Sequence, residues 1–210
     1  DSDDPTLTHE QIDRFDRALE FFPSHGLPMP TRHLAASGGI LQHPRAIYEM
    51  VRPGIMLYGL YPGRGVLRTV PLRPALTLET RVVYFKVGRR GRRVSYNGVP
   101  LERDTRVVTL PLGYGDGYPR SLSRKGHVLI GGRRFPILGN VTMDAVMVDV
   151  QDASVFNGER AVLLGSQGSE AISAEELADR TGTIPYEILS SINTRRSEEH
   201  TSELQSLAYL

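Results

Sequence analysis

Thr105-Arg-Val-Val-Thr-Leu110 runs directly into Pro111-Leu-Gly-Tyr-Gly-Asp-Gly-Tyr-Pro-Arg120. The first segment is β-branched and apolar, the composition that fits a half-buried pleated surface. The second places Gly113, Gly115 and Gly117 close together, which opens backbone conformations closed to other residues and holds a Tyr and an Asp at the strand's end. Comparable runs recur at Arg81–Val87, His127–Ile130, Phe135–Leu138, Ala145–Val150 and Ala161–Leu164. Turns such as Gly88-Arg-Arg-Gly-Arg-Arg93 and Gly131-Gly-Arg-Arg134 separate them. Strands at this spacing predict a compact β domain. Two late helices complete it: Ser173-Ala-Glu-Glu176 caps one that stops near Gly182, and Pro185 starts another toward Ile192.

Upstream of Tyr61-Pro-Gly-Arg-Gly65 the texture is α/β. Thr8-His-Glu-Gln11 has capping-box spacing, and Ile12, Phe15, Leu19 and Phe22 follow at helical steps up to Pro23 and Gly26. A short segment at 31–35 leads to Gly38 and Gly39, and His43–Met50 with Pro44 in its first turn predicts a second helix. Val51-Arg-Pro-Gly-Ile-Met-Leu-Tyr58 predicts a buried strand broken at Pro53-Gly54. A linker is expected near 61–70. No internal repeat is visible.

The chain has 210 residues, 40% hydrophobic and 23% charged, the balance of a globular protein. Its net charge of +1 gives no bulk electrostatic case for nucleic acid or an anionic membrane. Zero cysteines exclude disulfides, thiolate metal sites and a Cys nucleophile. No apolar run is long enough to span a bilayer. The basic cluster Lys86, Arg89, Arg90, Arg92 and Arg93 has no alternating aromatics and reads as a solvated hairpin tip. His43 and His127 lack metal-ligand spacing, so no metal site is expected.

Three segments could carry chemistry, each with a plainer reading beside it. Tyr114 either packs in a glycine-rich hairpin or acts as an acid–base group, the latter only if a nearby cation or donor lowers its pKa from about 10. Ser37, with Gly38 and Gly39, stands at a strand end where α/β barrels collect phosphates, although Ser-Gly-Gly is also a common loop. Arg52 before Pro53-Gly54 is a ligand or a surface arginine beside a turn. Met143 and Asp144, before an apolar strand, are a site or a core Met and a turn Asp.

Taken in order, the motifs are more specific. His33-Leu-Ala-Ala-Ser37, Val51-Arg-Pro-Gly-Ile-Met-Leu-Tyr-Gly59, Val94-Ser-Tyr-Asn-Gly98, the 110–120 segment, Gly139-Asn-Val-Thr-Met-Asp144 and Gly182-Thr-Ile-Pro-Tyr-Glu-Ile188 together resemble the alanine racemase family, from about residue 10 to 195. The resemblance implies the tail end of a (β/α)8 barrel over residues 1–60, followed by a mostly β C-terminal domain over 61–195. It implies pyridoxal 5'-phosphate as cofactor. Ser37, the backbone N–H groups of Gly54 and Ile55, and Tyr186 then correspond to ligands of the cofactor phosphate. Arg52 corresponds to the arginine facing the pyridine nitrogen; always protonated, it can donate to that nitrogen but not protonate it. Tyr114 corresponds to the catalytic base opposite the Schiff-base lysine, and Met143 to a residue whose backbone helps bind substrate. Ala36 departs from the family, which often has Asn there, at the cost of one polar contact.

The implied activity is two-base interconversion of L- and D-alanine in the cytoplasm, supplying D-alanine for peptidoglycan. The implied assembly is a homodimer whose active sites are shared between subunits, with no nucleic acid or membrane partner. A fragment without the lysine, expected before Asp1, would be inactive alone. Residues 196–210 are expected to be a non-native tail, because Arg196-Ser-Glu-Glu-His-Thr-Ser-Glu-Leu-Gln-Ser206 resembles a translated sequencing adaptor. The alternatives are a racemase acting on serine or a wider set of amino acids, and a stand-alone β module that binds a partner.

Overall fold

A computed structural model describes residues 4–193. The expected non-native tail at 196–210 lies outside the described residues. The chain divides into two compact units, Asp1–Ala75 and Leu76–Leu210.

In the first unit, α1 (Thr6–Leu19) and α2 (Phe21–Ser24) precede β1 (His33–Ala36), α3 (Ser37–Gln42) and β2 (Met50–Arg52). Strands β1 and β2 are parallel, with His33 opposite Met50 and Ala36 opposite Arg52. Ile12 of α1 seals their face against Ala35 and Ala46, with Leu34, Ile40 and Val51 packed around them. Helix α1 starts two residues before the predicted cap. The Asp4 carboxylate accepts the Thr6 N–H at 2.9 Å, so Thr8 lies inside the first turn and its capping box is unused.

The predicted helix at His43–Met50 shrinks to a 3-10 turn over Pro44–Ala46. The Glu49 carboxylate accepts the Arg32 N–H at 3.1 Å and pairs with its guanidinium, and Met50 N–H donates to Arg32 C=O. Those bonds draw the segment alongside β1 as a strand, a tertiary contact overriding helix propensity. The predicted strand Val51–Tyr58 likewise ends at Arg52; Ile55–Tyr58 is a 3-10 turn closed by Gly59 at φ +75°. Beyond it the chain folds back on its own unit. Tyr61 Oη donates to Val70 C=O at 2.9 Å and accepts Leu72 N–H at 3.3 Å, and Ala75 N–H donates to Tyr58 C=O at 3.0 Å.

The second unit comprises β3 (Leu78–Arg81), β4 (Tyr84–Gly88), β5 (Arg93–Val94), β6 (Val99–Pro100), β7 (Thr105–Leu110), β8 (His127–Ile130), β9 (Arg133–Pro136), β10 (Val146–Gln151), β11 (Arg160–Gln167) and β12 (Glu170–Ile172), then α4 (Ala174–Thr181) and α5 (Pro185–Ser191). One antiparallel sheet has the order β10-β7-β4. A second runs β12-β11-β8-β9, with β3 also paired to β11, and β5 and β6 form a separate hairpin. Val107, Val108, Leu110, Val146, Val148, Leu129, Ile130, Val162 and Leu163 are buried. Each fully buried side chain of this size contributes about 1.5–3 kcal/mol.

Two predicted strands each turn out to serve two sheets. Within Arg81–Val87 the break falls at buried Val82, whose N–H donates to Glu159 C=O beside β3's partner β11, whereas Val83 N–H donates to Thr109 C=O on β7. Within Phe135–Leu138, β9 ends at Pro136, and Ile137 bridges to Val148 of the other sheet. In the first run only Val82 is buried, with Val83–Val87 exposed; in the second, Phe135 and Ile137 are buried. Helix α4 follows its prediction: Ser173 Oγ accepts Glu176 N–H at 3.1 Å, and Gly182 closes the helix at φ +74°.

Candidate active site

In the first unit, Ser37 and Gly54 follow the C-terminal ends of two adjacent parallel strands, the position where α/β folds bind phosphates. The structure brings them together. Ser37 is 3% exposed, and its Oγ accepts the N–H groups of Gly54 at 3.0 Å and Met56 at 3.4 Å. The hydroxyl keeps its own proton to donate. A Cβ at Gly54 would meet only Ser37 Oγ, at 3.9 Å, so the backbone there is open to close approach. Ile55 N–H opens the 3-10 turn, where a helical start leaves donors without an internal acceptor. Met56, which no sequence signal marked, is a second amide at this hydroxyl.

Arg52 ends β2 and lies across β1. Its guanidinium pairs with His33 Nδ1 and donates to the carbonyls of His33 at 3.4 Å and Leu34 at 3.2 Å. This tethers the guanidinium against the first half of β1, the strand that Ser37 follows. A hydroxyl and clustered backbone amides suit an anionic, phosphate-bearing ligand.

In the second unit the turn after β7 is a single 3-10 turn over Tyr114–Asp116. Buried Asp116 folds back so that its Oδ2 accepts Gly113 N–H at 2.8 Å. Tyr114 N–H then donates to Thr142 C=O and Gly115 N–H to Met143 C=O, each at 2.9 Å. Tyr114 and Met143 therefore share one site, fixed by backbone bonds. A Cβ at Gly113 would lie 2.6 Å from the Met143 carbonyl and closer still to Thr142 C=O, which explains the first glycine.

The packing tyrosine of the segment is Tyr118, 1% exposed, whose hydroxyl pKa is pushed up by burial and by Glu176. Tyr114, by contrast, is 41% exposed, and Met143 is 46% exposed. Neither belongs to the core. Tyr114 opens on a hollow of about 440 Å³ that Arg120, Glu187 and Ser191 also line.

Tyr186 is the second residue of α5, 38% exposed, and desolvation of its hydroxyl raises the pKa. The C-terminal end of the same helix reaches the Tyr114 turn, where Ser191 Oγ donates to Gly117 C=O at 2.9 Å. Sequence reasoning placed Asp116 at the strand's end but gave it no role, and it missed Ser191. The three-residue spacing from Gly113 to Asp116 could have indicated the first, but no local pattern marks a contact 74 residues apart.

The description "Alanine racemase, C-terminal domain" matches residues 75–200, and "Alanine racemase, N-terminal domain" matches residues 1–62. This chain belongs to the alanine racemase family. Alanine racemase of Carboxydothermus hydrogenoformans is 48% identical over 198 residues, covering 93% of this chain and 54% of that protein. That of Halothermothrix orenii is 40% identical over 206 residues, covering 97% of this chain and 54% of that protein. The chain thus spans about half the length of the curated alanine racemases it matches. Among solved structures, Bacillus anthracis alanine racemase with bound L-Ala-P superposes with a TM-score of 0.84 at 35% identity, covering 90% of this chain and 50% of that one. Bartonella henselae alanine racemase with covalently bound pyridoxal phosphate gives 0.77 at 32% identity, covering 91% and 51%.

Proposed function

We propose that this chain forms part of a cytoplasmic, pyridoxal-phosphate-dependent alanine racemase that supplies D-alanine for peptidoglycan. The observation that carries this reading is the backbone pairing that presents exposed Tyr114 beside exposed Met143. Racemisation removes a proton from one face of Cα and returns one to the other, so two acid–base groups must flank the substrate. Tyr114 Oη holds or releases the proton on one face. The family's lysine serves the opposite face.

Ser37, Gly54, Ile55 and Tyr186 hold the cofactor phosphate in this reading, and Arg52 donates to the ring nitrogen without giving up its proton. When bound, pyridoxal phosphate supplies the electron sink that stabilises negative charge at Cα. The backbone at Met143 orients the substrate, and Tyr114 serves the cofactor of the partner subunit in a homodimer. Residues 1–60 contribute the end of a (β/α)8 barrel, residues 61–75 fold back on that unit, and the unit from Leu76 contributes the β domain. The sequence holds two lysines, Lys86 and Lys125, and neither stands in a motif that matches the family, so in this reading the 210 residues alone convert no alanine.

The test is a hybrid in which residues 1–193 replace the matching part of the Carboxydothermus hydrogenoformans enzyme. Its turnover of L-alanine, L-serine and L-lysine is compared. Preferential formation of D-alanine supports the proposal, and equal or greater turnover of serine or lysine favours the wider-specificity alternative. A folded, cofactor-loaded hybrid that racemises none of them overturns both.

A further inference from the structure

We infer that Ser191 is a positioning residue for Tyr114: the last residue of α5 latches the turn that carries the acid–base group. The inference rests on the role of Tyr114 proposed above. Ser191 Oγ lies 2.9 Å from Gly117 C=O and 3.0 Å from Ile188 C=O, so its one proton is shared between the turn and the helix's own last carbonyls. Asn193 N–H adds a long bond of 3.5 Å to Asp116 C=O. The two backbones also touch closely. A Cβ at Gly117 would stand 2.6 Å from Ile192 Cα and nearer still to Ser191 C=O, and Gly117 itself sits at φ +94°. This glycine is required both by its conformation and by the approach of α5.

The Tyr114 turn is consequently held from two sides. Thr142 and Met143 accept its leading amides, and Ser191 binds the carbonyl at its far end. The first side carries a substrate-binding residue in the proposed function. The second belongs to the helix that carries Tyr186, proposed at the cofactor phosphate.

The experiment compares Ser191→Ala and Ser191→Thr with the parent sequence, in the 210-residue chain and in the hybrid racemase. In the chain, hydrogen–deuterium exchange is followed at the amides of Asp116, Gly117 and Tyr118, which bond back to Gly113 and Tyr114. Loss of one neutral hydrogen bond predicts about five-fold faster exchange there in Ser191→Ala, with β7 and β10 unchanged and Ser191→Thr restored. In the hybrid, Ser191→Ala lowers kcat, with KM and the cofactor's absorbance unchanged. Unaltered exchange in the turn, or acceleration spread evenly over the β unit, overturns the latch. If the parent hybrid itself fails to racemise alanine, the racemase reading falls while the exchange result still decides whether Ser191 holds the turn.

Discussion

Replacing Gly113 with alanine separates Tyr114 from Met143 by the smallest possible addition. Gly113 sits at φ −152°, ψ −161°, which any residue adopts, so backbone strain contributes nothing to the outcome. The added Cβ instead meets the 142–143 backbone, lying 2.6 Å from the Met143 carbonyl where ordinary contact begins near 3.4 Å. The two segments must part by roughly 1 Å, because carbonyls in a bonded turn cannot rotate away. That parting stretches the Tyr114–Thr142 and Gly115–Met143 bonds, each with a net worth of about 0.5–1.5 kcal/mol. Together they loosen the site by about 1–3 kcal/mol. A displacement of about 1 Å at a reacting group costs on the order of a hundred-fold in rate. The hybrid carrying Gly113→Ala should therefore lose about two orders of magnitude in kcat. Its cofactor absorbance should be retained, since the phosphate cradle is built on other strands. Steady-state racemisation assays with a circular-dichroism check of folding measure this. Activity within about three-fold of the parent hybrid, in a folded protein, would refute the claim that this backbone pairing places Tyr114.

Three further outcomes are expected. Ser37→Ala leaves the Gly54 and Met56 amides without their shared acceptor and should weaken pyridoxal phosphate binding by about ten- to a hundred-fold, read by absorbance titration of the hybrid. Ser173→Ala removes the cap of α4 and should cost about 0.5–2 kcal/mol of stability in the β unit, read by urea unfolding. Burial opposes the charge on Glu176, but Arg134 at 2.6 Å and Arg180 at 3.0 Å prevail and hold its pKa below the ordinary 4.5. A lowered carboxylate contributes stability above its unfolded pKa and loses it as pH falls through the folded value. Glu176→Gln should thus flatten the acid limb of the stability profile below about pH 4.5 while lowering stability near neutrality.

Which parts of this architecture were legible in advance follows from how local their causes are. Strands β7 and β8 sit where their apolar runs do, because each run lies in one sheet and its pattern is uninterrupted. Helix α4 was legible from Ser173, Glu176 and Gly182, whose capping interactions span only a few residues. The runs at 81–87 and 135–138 hid a change of sheet, since a buried crossover residue such as Val82 looks like any strand valine. The expected helix at 43–50 failed for a different reason. Glu49 answers to Arg32, 17 residues earlier, and that partner is invisible to a helical pattern.

The candidate site shows the same division. Ser37 and Gly54 were readable as strand-end residues, and Tyr114 as the odd tyrosine among glycines. Chemistry alone left Tyr114 and Met143 each with a packing alternative. Their exposure, together with the burial of Tyr118 next to them, separates the residue that packs from those that face out. Of the clamps that hold them, Asp116 stands three residues after the Gly113 amide it accepts, whereas Ser191 acts on a backbone carbonyl 74 residues away that no residue pattern specifies.

The most direct test of the account is complementation between two inactive hybrids. One carries Tyr114→Phe; the other has the Schiff-base lysine in its Carboxydothermus half replaced by alanine. Each homodimer should be severely impaired. After subunit exchange, a mixed dimer holds one site with both defects and one site with an intact lysine and an intact Tyr114. L- to D-alanine conversion should return to about half the parent value per mixed dimer. If both groups came from a single subunit, every site in the mixture would keep one defect. Confirmed exchange with no recovery of activity would contradict the assignment of Tyr114 to the partner's active site.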